Sequence, residues 1–95
     1  MSAFVIVQGK VTDLEQYEQY KIAAPPTVAS AGGSYLVRGG ATTSLEGGEV
    51  PERTVVLQFD TRDAAMAWYE SEQYRTARAL RANAAELRMY VVDGA

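Results

Sequence analysis

The sequence contains no cysteine and no histidine among its 95 residues. Without cysteine, disulfides, thiolate metal sites and cysteine nucleophiles are excluded. Without histidine, the chain also lacks the commonest general base and the commonest metal ligand. Any catalysis must therefore rest on carboxylates, tyrosines, serines, arginines or a cofactor, and we expect neither a bound cofactor nor a metal.

Long apolar runs and an excess of positive charge are also missing. No stretch approaches the ~20 consecutive apolar residues of a membrane span. The opening MSAFVIVQGK has no basic start followed by a long apolar run, as an export signal would have. The net charge of −3 argues against a phosphate backbone as partner. We expect a cytoplasmic protein with no nucleic-acid and no membrane partner.

The chain is nonetheless rich in hydrophobic residues, at 47% of the total. Its length predicts a single domain, 1–95, with a thin core. Because such a core needs fewer apolar residues, we expect part of them to be buried against a partner.

Apolar periodicity predicts four strands and three helices in the order βαββαβ, the last helical region being divided by a cap at Ser71. This is the ferredoxin-like α+β arrangement, a four-stranded antiparallel sheet with its helices on one face. The first strand is apolar on both faces, so we expect a second copy of the chain to cover the open face. The predicted strands are 3–11, 34–46, 54–60 and 86–94, and the predicted helices are 14–24, 62–71 and 72–84.

Pro25 and Pro26 lie within the first helical pattern. Proline lacks the amide hydrogen, its ring clashes with the preceding turn, and the residue before it is pushed out of the helical region. We therefore expect the helix to break between Ala24 and Pro26, placing Thr27 and Val28 over one edge of the sheet.

Two glycine pairs, 32–33 and 39–40, flank the second strand. Glycines inside a strand pattern indicate a bulge or a close backbone approach. We expect one long strand, 34–46, bent at 39–40, with Arg38 aimed at the rim of the cavity between helices and sheet.

The candidate substrate-binding residues are polar or aromatic side chains near these features. Arg38 could clamp a carboxylate or enolate through its planar fork, and the alternative is an ion pair with Glu46, Glu52 or another carboxylate. For Tyr17 and Trp68 we favour a position in the core, because aromatic residues at helical spacing are usually core. Ser71 is most simply a helix cap, and Thr27 could bond a ligand or merely satisfy the broken helix. The set is Arg38, Tyr20, Thr27, Trp68, Ser71 and Tyr74.

Four arginines near the end of the chain form no compact basic run, so we interpret them as a solvated face: Arg75, Arg78, Arg81 and Arg88. RNA-recognition modules share the βαββαβ order, but they stack bases on aromatic residues of a basic third strand. The third strand here, TVVLQFD, lacks both features, and we reject that interpretation.

The combination of several short motifs resembles, nearly end to end, the bacterial family known as domain of unknown function 1330. The resemblance implies a dimeric α+β barrel, in which two ferredoxin-like sheets pack face to face. Relatives in that superfamily include cofactor-free monooxygenases, isomerases and haem enzymes, and the last use a histidine that this chain lacks. The motifs are YEQY (17–20), APPTVASAGG (24–33), LVRGG (36–40), LEG (45–47), PER (51–53), AWYESEQY (67–74) and VVDG (91–94).

Two functional hypotheses remain. In the first, the homodimer binds a small organic acid or aromatic metabolite and acts on it as a cofactor-independent enzyme, with Arg38 as anchor and Tyr20, Tyr74 or a carboxylate moving protons. In the second, it is a non-catalytic binding or stress-related dimer. A solvent-connected cavity that holds Arg38 with a bound anion would favour the first hypothesis. A closed interior in which every tyrosine hydroxyl is bonded to protein would favour the second.

Overall fold

The structure, a computed structural model, describes residues 2–95. Within them the predicted βαββαβ order is confirmed, and Ser71 separates the last two helices as expected. The strands are β1 (Ala3–Val11), β2 (Ser34–Arg38), β3 (Arg53–Phe59) and β4 (Ala85–Asp93), and the helices are α1 (Leu14–Ser30), α2 (Arg62–Glu70) and α3 (Glu72–Ala79). In this part of the chain, no helix is both long enough and apolar enough to cross a bilayer.

The strands form one antiparallel sheet in the order β2-β3-β1-β4. The strand that is apolar on both faces, β1, is central, with Val5 and Val7 buried beneath the helices. Alternation places Phe4 and Ile6 on the opposite face, where both stay partly exposed. The register gives that helix-free face a continuous set of apolar side chains: Phe4, Ile6, Val37, Val56, Tyr90 and Val92.

The expected break in the first helix is wrong, because α1 continues through Pro25 and Pro26 to Ser30. Proline at position 25 removes the amide that would bond to the carbonyl of Lys21. Arg38 replaces that donor, since its Nη2 donates to the Lys21 carbonyl oxygen at 2.7 Å. A side chain from the neighbouring strand thus satisfies a helix group that the proline leaves free.

The expected long strand 34–46 is also wrong. β2 ends at Arg38, no strand occurs in 39–52, and the bulge lies between Tyr35 and Val37 rather than at the glycine pair. Gly39 adopts the left-handed conformation, with φ of 72°, and turns the chain away from the sheet. The glycine pair therefore terminates the strand instead of bending it.

The core is a chain of aromatic rings between the helices and the sheet. Trp68 packs between Phe59 and Tyr74, with ring centroids 5.4 and 4.1 Å away. Tyr17 and Tyr20 extend the chain along α1, their centroids 5.3 Å apart. The core assignments of Tyr17 and Trp68 are confirmed, since both are buried.

Candidate functional site

A small cavity, here called the inner cavity, lies between α1 and the β2, β3 and β1 strands. It has a volume of about 20 Å³, room for about one water molecule. Its floor is apolar and consists of Val7, Val55 and Leu57. Its walls are aromatic and consist of Tyr17, Tyr20 and Trp68. Its rim is basic and consists of Lys21, Arg38 and Arg53.

The rim opens into a surface recess where basic side chains outnumber acidic ones. Lys21, Arg38 and Arg53 contribute three positive charges, against one negative charge from Glu18. Glu18 is paired with Lys21, their Oε1 and Nζ atoms being 3.1 Å apart. The recess is therefore a locally positive surface on a protein whose net charge is −3.

Arg38 lies at the rim of the cavity, as expected from the sequence. Its guanidinium carbon stands 4.9 Å from the centroid of the Tyr35 ring, and its Nη2 binds the Lys21 carbonyl. The alternative ion pair with Glu46 or Glu52 is not formed. Within residues 2–95, no carboxylate oxygen lies within 4.0 Å of the Arg38 guanidinium, which keeps donors available to a ligand.

Arg53 is the second basic residue of the rim, and sequence reasoning gave it no role. Its guanidinium carbon lies 5.4 Å from the centroid of the Tyr17 ring. Its Nε is buried and has no hydrogen-bond acceptor among the residues that the structure describes. A Cβ at position 39 would lie 2.6 Å from its Nη1, so Gly39 leaves room for this side chain.

The role of Arg53 depends on contacts between residues that are distant in the sequence, and the sequence pattern alone does not predict them. β3 places it opposite Gly9 of β1 and beside the turn at Gly39. The only available signal was the glycine pair itself, which indicated a close approach without identifying the group that approaches.

Tyr20 and Tyr74 form a hydroxyl pair behind the cavity wall. Their oxygens are 2.7 Å apart. Burial, reinforced by the neighbouring Tyr74, raises the pKa of the Tyr20 hydroxyl well above its usual range. Such a hydroxyl stays protonated at neutral pH, so it is suited to donating a hydrogen bond and poorly suited to accepting a proton.

Arg81 lies against the same pair, with its guanidinium carbon 5.2 Å from the Tyr20 ring centroid. Arg78 likewise stands 4.7 Å from the centroid of Tyr69. Both are half-buried, so the interpretation of these two as a solvated face is wrong. Their guanidinium groups instead lie over the aromatic rings of Tyr69 and Tyr20.

Thr27 and Ser71 lie away from the inner cavity, in a shallow depression on the other side of Trp68. Thr27 Oγ1 accepts from the Trp68 indole nitrogen at 3.0 Å and donates to the Ala24 carbonyl at 2.7 Å. Ser71 caps α3, accepting from the Tyr74 amide at 3.1 Å. Of the six predicted site residues, the fold brings three to the cavity: Arg38, Tyr20 and Trp68.

Metal-binding chemistry has little support in this arrangement. Across residues 2–95, no three acidic side chains are grouped so that they could hold a metal ion. The polar groups at the cavity are guanidinium, ammonium and phenol donors, which are suited to an anionic or carbonyl-bearing ligand.

The antiparallel β2-β3-β1-β4 sheet, with its helices on one face, defines a ferredoxin-like α+β protein. Within that class, the chain belongs to the family described as domain of unknown function (DUF1330), whose model matches residues 2–95. The family resemblance inferred from the motifs is therefore confirmed.

Solved structures with the same fold are similar over nearly the whole chain. The RPA0582 protein of unknown function from Rhodopseudomonas palustris is 17% identical, with a TM-score of 0.78, covering 99% of this chain and 82% of that one. A dimeric ferredoxin-like protein of unknown function from Thermobifida fusca is 20% identical, with a TM-score of 0.64, covering 99% and 92%.

A third solved structure carries a provisional functional assignment. It is a protein from Nitrosomonas europaea, provisionally assigned as an antibiotic biosynthesis monooxygenase, which is 20% identical with a TM-score of 0.62, covering 98% and 89%. At these sequence identities, the similarity to the three structures shows a shared fold only. A comparison with curated proteins finds no match to the chain.

Proposed function

We propose that this protein is a homodimer that binds a small organic anion at the basic rim of the inner cavity. The observation that carries the proposal is the pair Arg38 and Arg53, which flank the rim with no carboxylate within 4.0 Å among residues 2–95. Two guanidinium groups without acidic partners match the planar geometry of a carboxylate.

The aromatic side chains beside the rim favour an acid with a flat or apolar body. Tyr35 and Tyr17 each lie under one of the two guanidinium groups, Tyr35 half-buried near the rim and Tyr17 buried deeper in the core. A ligand that enters between the arginines therefore meets aromatic surface immediately behind its carboxylate.

The dimer is proposed from the helix-free face of the sheet. Three partly exposed apolar residues at its centre, Phe4, Ile6 and Val56, are joined by others toward both edges. Burying this face against a second copy removes a contiguous apolar surface from water, as a two-fold interface would. The dimeric neighbour from Thermobifida fusca with the same fold supports this assembly.

The interior of the protein favours binding of the anion without catalysis. The inner cavity holds about 20 Å³, whereas ligand pockets usually enclose hundreds of cubic ångströms. The hydroxyls of Tyr20 and Tyr74 bond to each other, and the raised pKa of Tyr20 makes that hydroxyl poorly suited to act as a base. The anion thus binds at the rim and recess, with the cavity accepting only a small group.

The test is calorimetric titration with acetate, benzoate and succinate, each matched by its neutral amide. We expect the acids to bind and the amides not to bind. Arg53→Gln removes acid binding, while Arg62→Gln, which alters an exposed arginine paired with Asp93 on the far edge of the sheet, leaves it unchanged. Equal responses to acids and amides, or acid binding that survives Arg53→Gln, would contradict the proposal.

A further inference from the structure

The turn that follows β2 places Gly39 directly against the side chain of Arg53. A Cβ at position 39 would lie 2.6 Å from Nη1 of Arg53 and 3.3 Å from its guanidinium carbon. Real Cβ atoms essentially never have a neighbour closer than 3.0 Å, so any other residue at position 39 would displace the guanidinium. The absence of a side chain at this position therefore determines where the Arg53 guanidinium can lie.

The backbone fixes Gly39 in this place. Its amide donates to the Thr54 carbonyl oxygen at 2.9 Å, which extends the pairing of β2 with β3 by one bond. Its φ of 72° then turns the chain out of the sheet, a conformation that glycine adopts at little cost. Because Thr54 follows Arg53 in β3, the same bond ties the turn to the strand that carries the guanidinium.

Arg53 has a second neighbour in the ring of Tyr17, whose centroid lies 5.4 Å from the guanidinium carbon. Tyr17 is buried in the core, so its ring is a fixed surface. Within residues 2–95, no carboxylate oxygen lies within 4.0 Å of the Arg53 guanidinium. Packing against Tyr17 and Gly39, rather than an ion pair, therefore sets the position of this group.

The other arginine of the rim belongs to the same turn. Arg38 immediately precedes Gly39, and its Nη2 is fixed on the Lys21 carbonyl oxygen at 2.7 Å. Arg38, Gly39 and Arg53 all line the surface recess. One glycine therefore follows the first arginine in the chain and contacts the second arginine from the neighbouring strand.

We infer that Gly39 is a positioning residue of the anion site, which leaves room for the Arg53 guanidinium and so lets Arg38 and Arg53 bind one carboxylate together. A methyl group at position 39 displaces the guanidinium, and the fold survives because this group is the flexible end of a long side chain. Arg38 alone then holds the anion. This inference rests on the proposed function, and it adds that the two arginines share a single anion.

The experiment measures benzoate binding by calorimetry for Gly39→Ala and for two control variants. Gly39→Ala weakens binding about tenfold, since the anion loses its charge-assisted hydrogen bonds to Arg53. Gly32→Ala introduces comparable left-handed strain, with φ of 78°, where a Cβ meets no atom within 4 Å. Gly40→Ala changes the adjacent residue, where a Cβ also meets no atom within 4 Å. Both controls bind benzoate as the wild type does.

A double-mutant cycle with Arg53→Lys separates positioning from a purely structural role. Each single variant weakens binding, but lysine lacks the guanidinium atoms that the methyl group would meet. Gly39→Ala therefore causes no further loss of affinity in the Arg53→Lys background, whereas a structural role would lower affinity by the same factor in both backgrounds. If Gly39→Ala does not fold, Gly39→Asn replaces it, because asparagine tolerates the left-handed region and still carries a Cβ.

The failure of this inference and the failure of the proposed function give different results. If Gly39→Ala binds benzoate as tightly as the wild type while Arg53→Gln abolishes binding, the positioning role is wrong and the anion site stands. If Gly32→Ala weakens binding as much as Gly39→Ala, backbone strain accounts for the loss and the inference is overturned. If the wild type binds no carboxylate, the proposed function fails together with this inference.

Discussion

Arg38 donates a hydrogen bond to the carbonyl oxygen of Lys21 at 2.7 Å, and the residue four positions beyond Lys21 is Pro25. In an uninterrupted helix the amide of residue 25 would make that bond. The guanidinium therefore replaces a missing backbone donor, and it links β2 to the middle of α1. Pro25 and Arg38 therefore form one structural unit.

The first prediction follows from this substitution of donors. Arg38→Met lowers the free energy of unfolding by about 1 kcal/mol, because the Lys21 carbonyl loses its partner. For a domain of this size, that corresponds to about 4–8 °C in melting temperature. In a Pro25→Ala background the restored amide satisfies Lys21, so the same substitution has a much smaller effect. A double-mutant cycle by thermal unfolding measures the difference, and additive effects would contradict the linkage.

Ligand affinity gives a second prediction for the same residue. Arg38→Lys weakens binding of carboxylates because lysine cannot reproduce the planar fork, and Arg38→Met abolishes it. Measuring both by calorimetry in the Pro25→Ala background separates binding from stability. Unchanged affinity in both variants would remove Arg38 from the proposed site and leave it with only its structural role.

Thr27 and Trp68 give a third prediction. Thr27→Val keeps the shape of the side chain but leaves the buried indole nitrogen of Trp68 without an acceptor. We expect a loss of about 1–3 kcal/mol in urea unfolding. Thr27→Ser retains the hydroxyl and serves as the control, with a smaller loss. A loss in Thr27→Val no larger than that in Thr27→Ser would contradict the role assigned to the hydrogen bond.

The fourth prediction concerns alkaline stability. The usual pKa of tyrosine is about 10, and burial raises that of Tyr20 in the folded protein. Above the usual value the unfolded chain ionises while folded Tyr20 stays neutral, so its contribution to stability, full below about pH 10, is lost as pH rises. Tyr20→Phe reduces the decline in the free energy of unfolding between about pH 9 and 11. A similar decline in the wild type and in Tyr20→Phe would refute the assignment.

The dimer gives the fifth prediction. Ile6→Glu places a charge at the centre of the helix-free face and weakens self-association. Ile22→Glu, on the exposed side of α1, leaves association unchanged and is the matched control. Light scattering across micromolar concentrations measures both. A wild-type protein that is a stable monomer in this range would end the dimer proposal.

The fold could be predicted from sequence because its elements have strong local signals. Alternation and apolar spacing define β1 and the helical stripes, and Ser71 has the chemistry of a cap. The full length of the first helix could not be predicted, because the donor that replaces the missing amide of Pro25 comes from Arg38, a residue distant in the sequence. The role of Arg53 could not be predicted for the same reason, because its position beside Gly39 depends on strand register and on a turn between elements.

Ser71, which lies between α2 and α3, fixes the number of residues that can separate the two helices. Ser71 Oγ donates to the carbonyl of Trp68 at 2.7 Å and accepts from the amide of Tyr74 at 3.1 Å, so a single residue ends one helix and begins the next. One inserted residue would rotate α3 by about 100° and carry the Tyr74 hydroxyl away from Tyr20. We therefore expect natural variation in length, and engineered insertions, to be confined to surface segments such as 39–52, with this corner kept free of both.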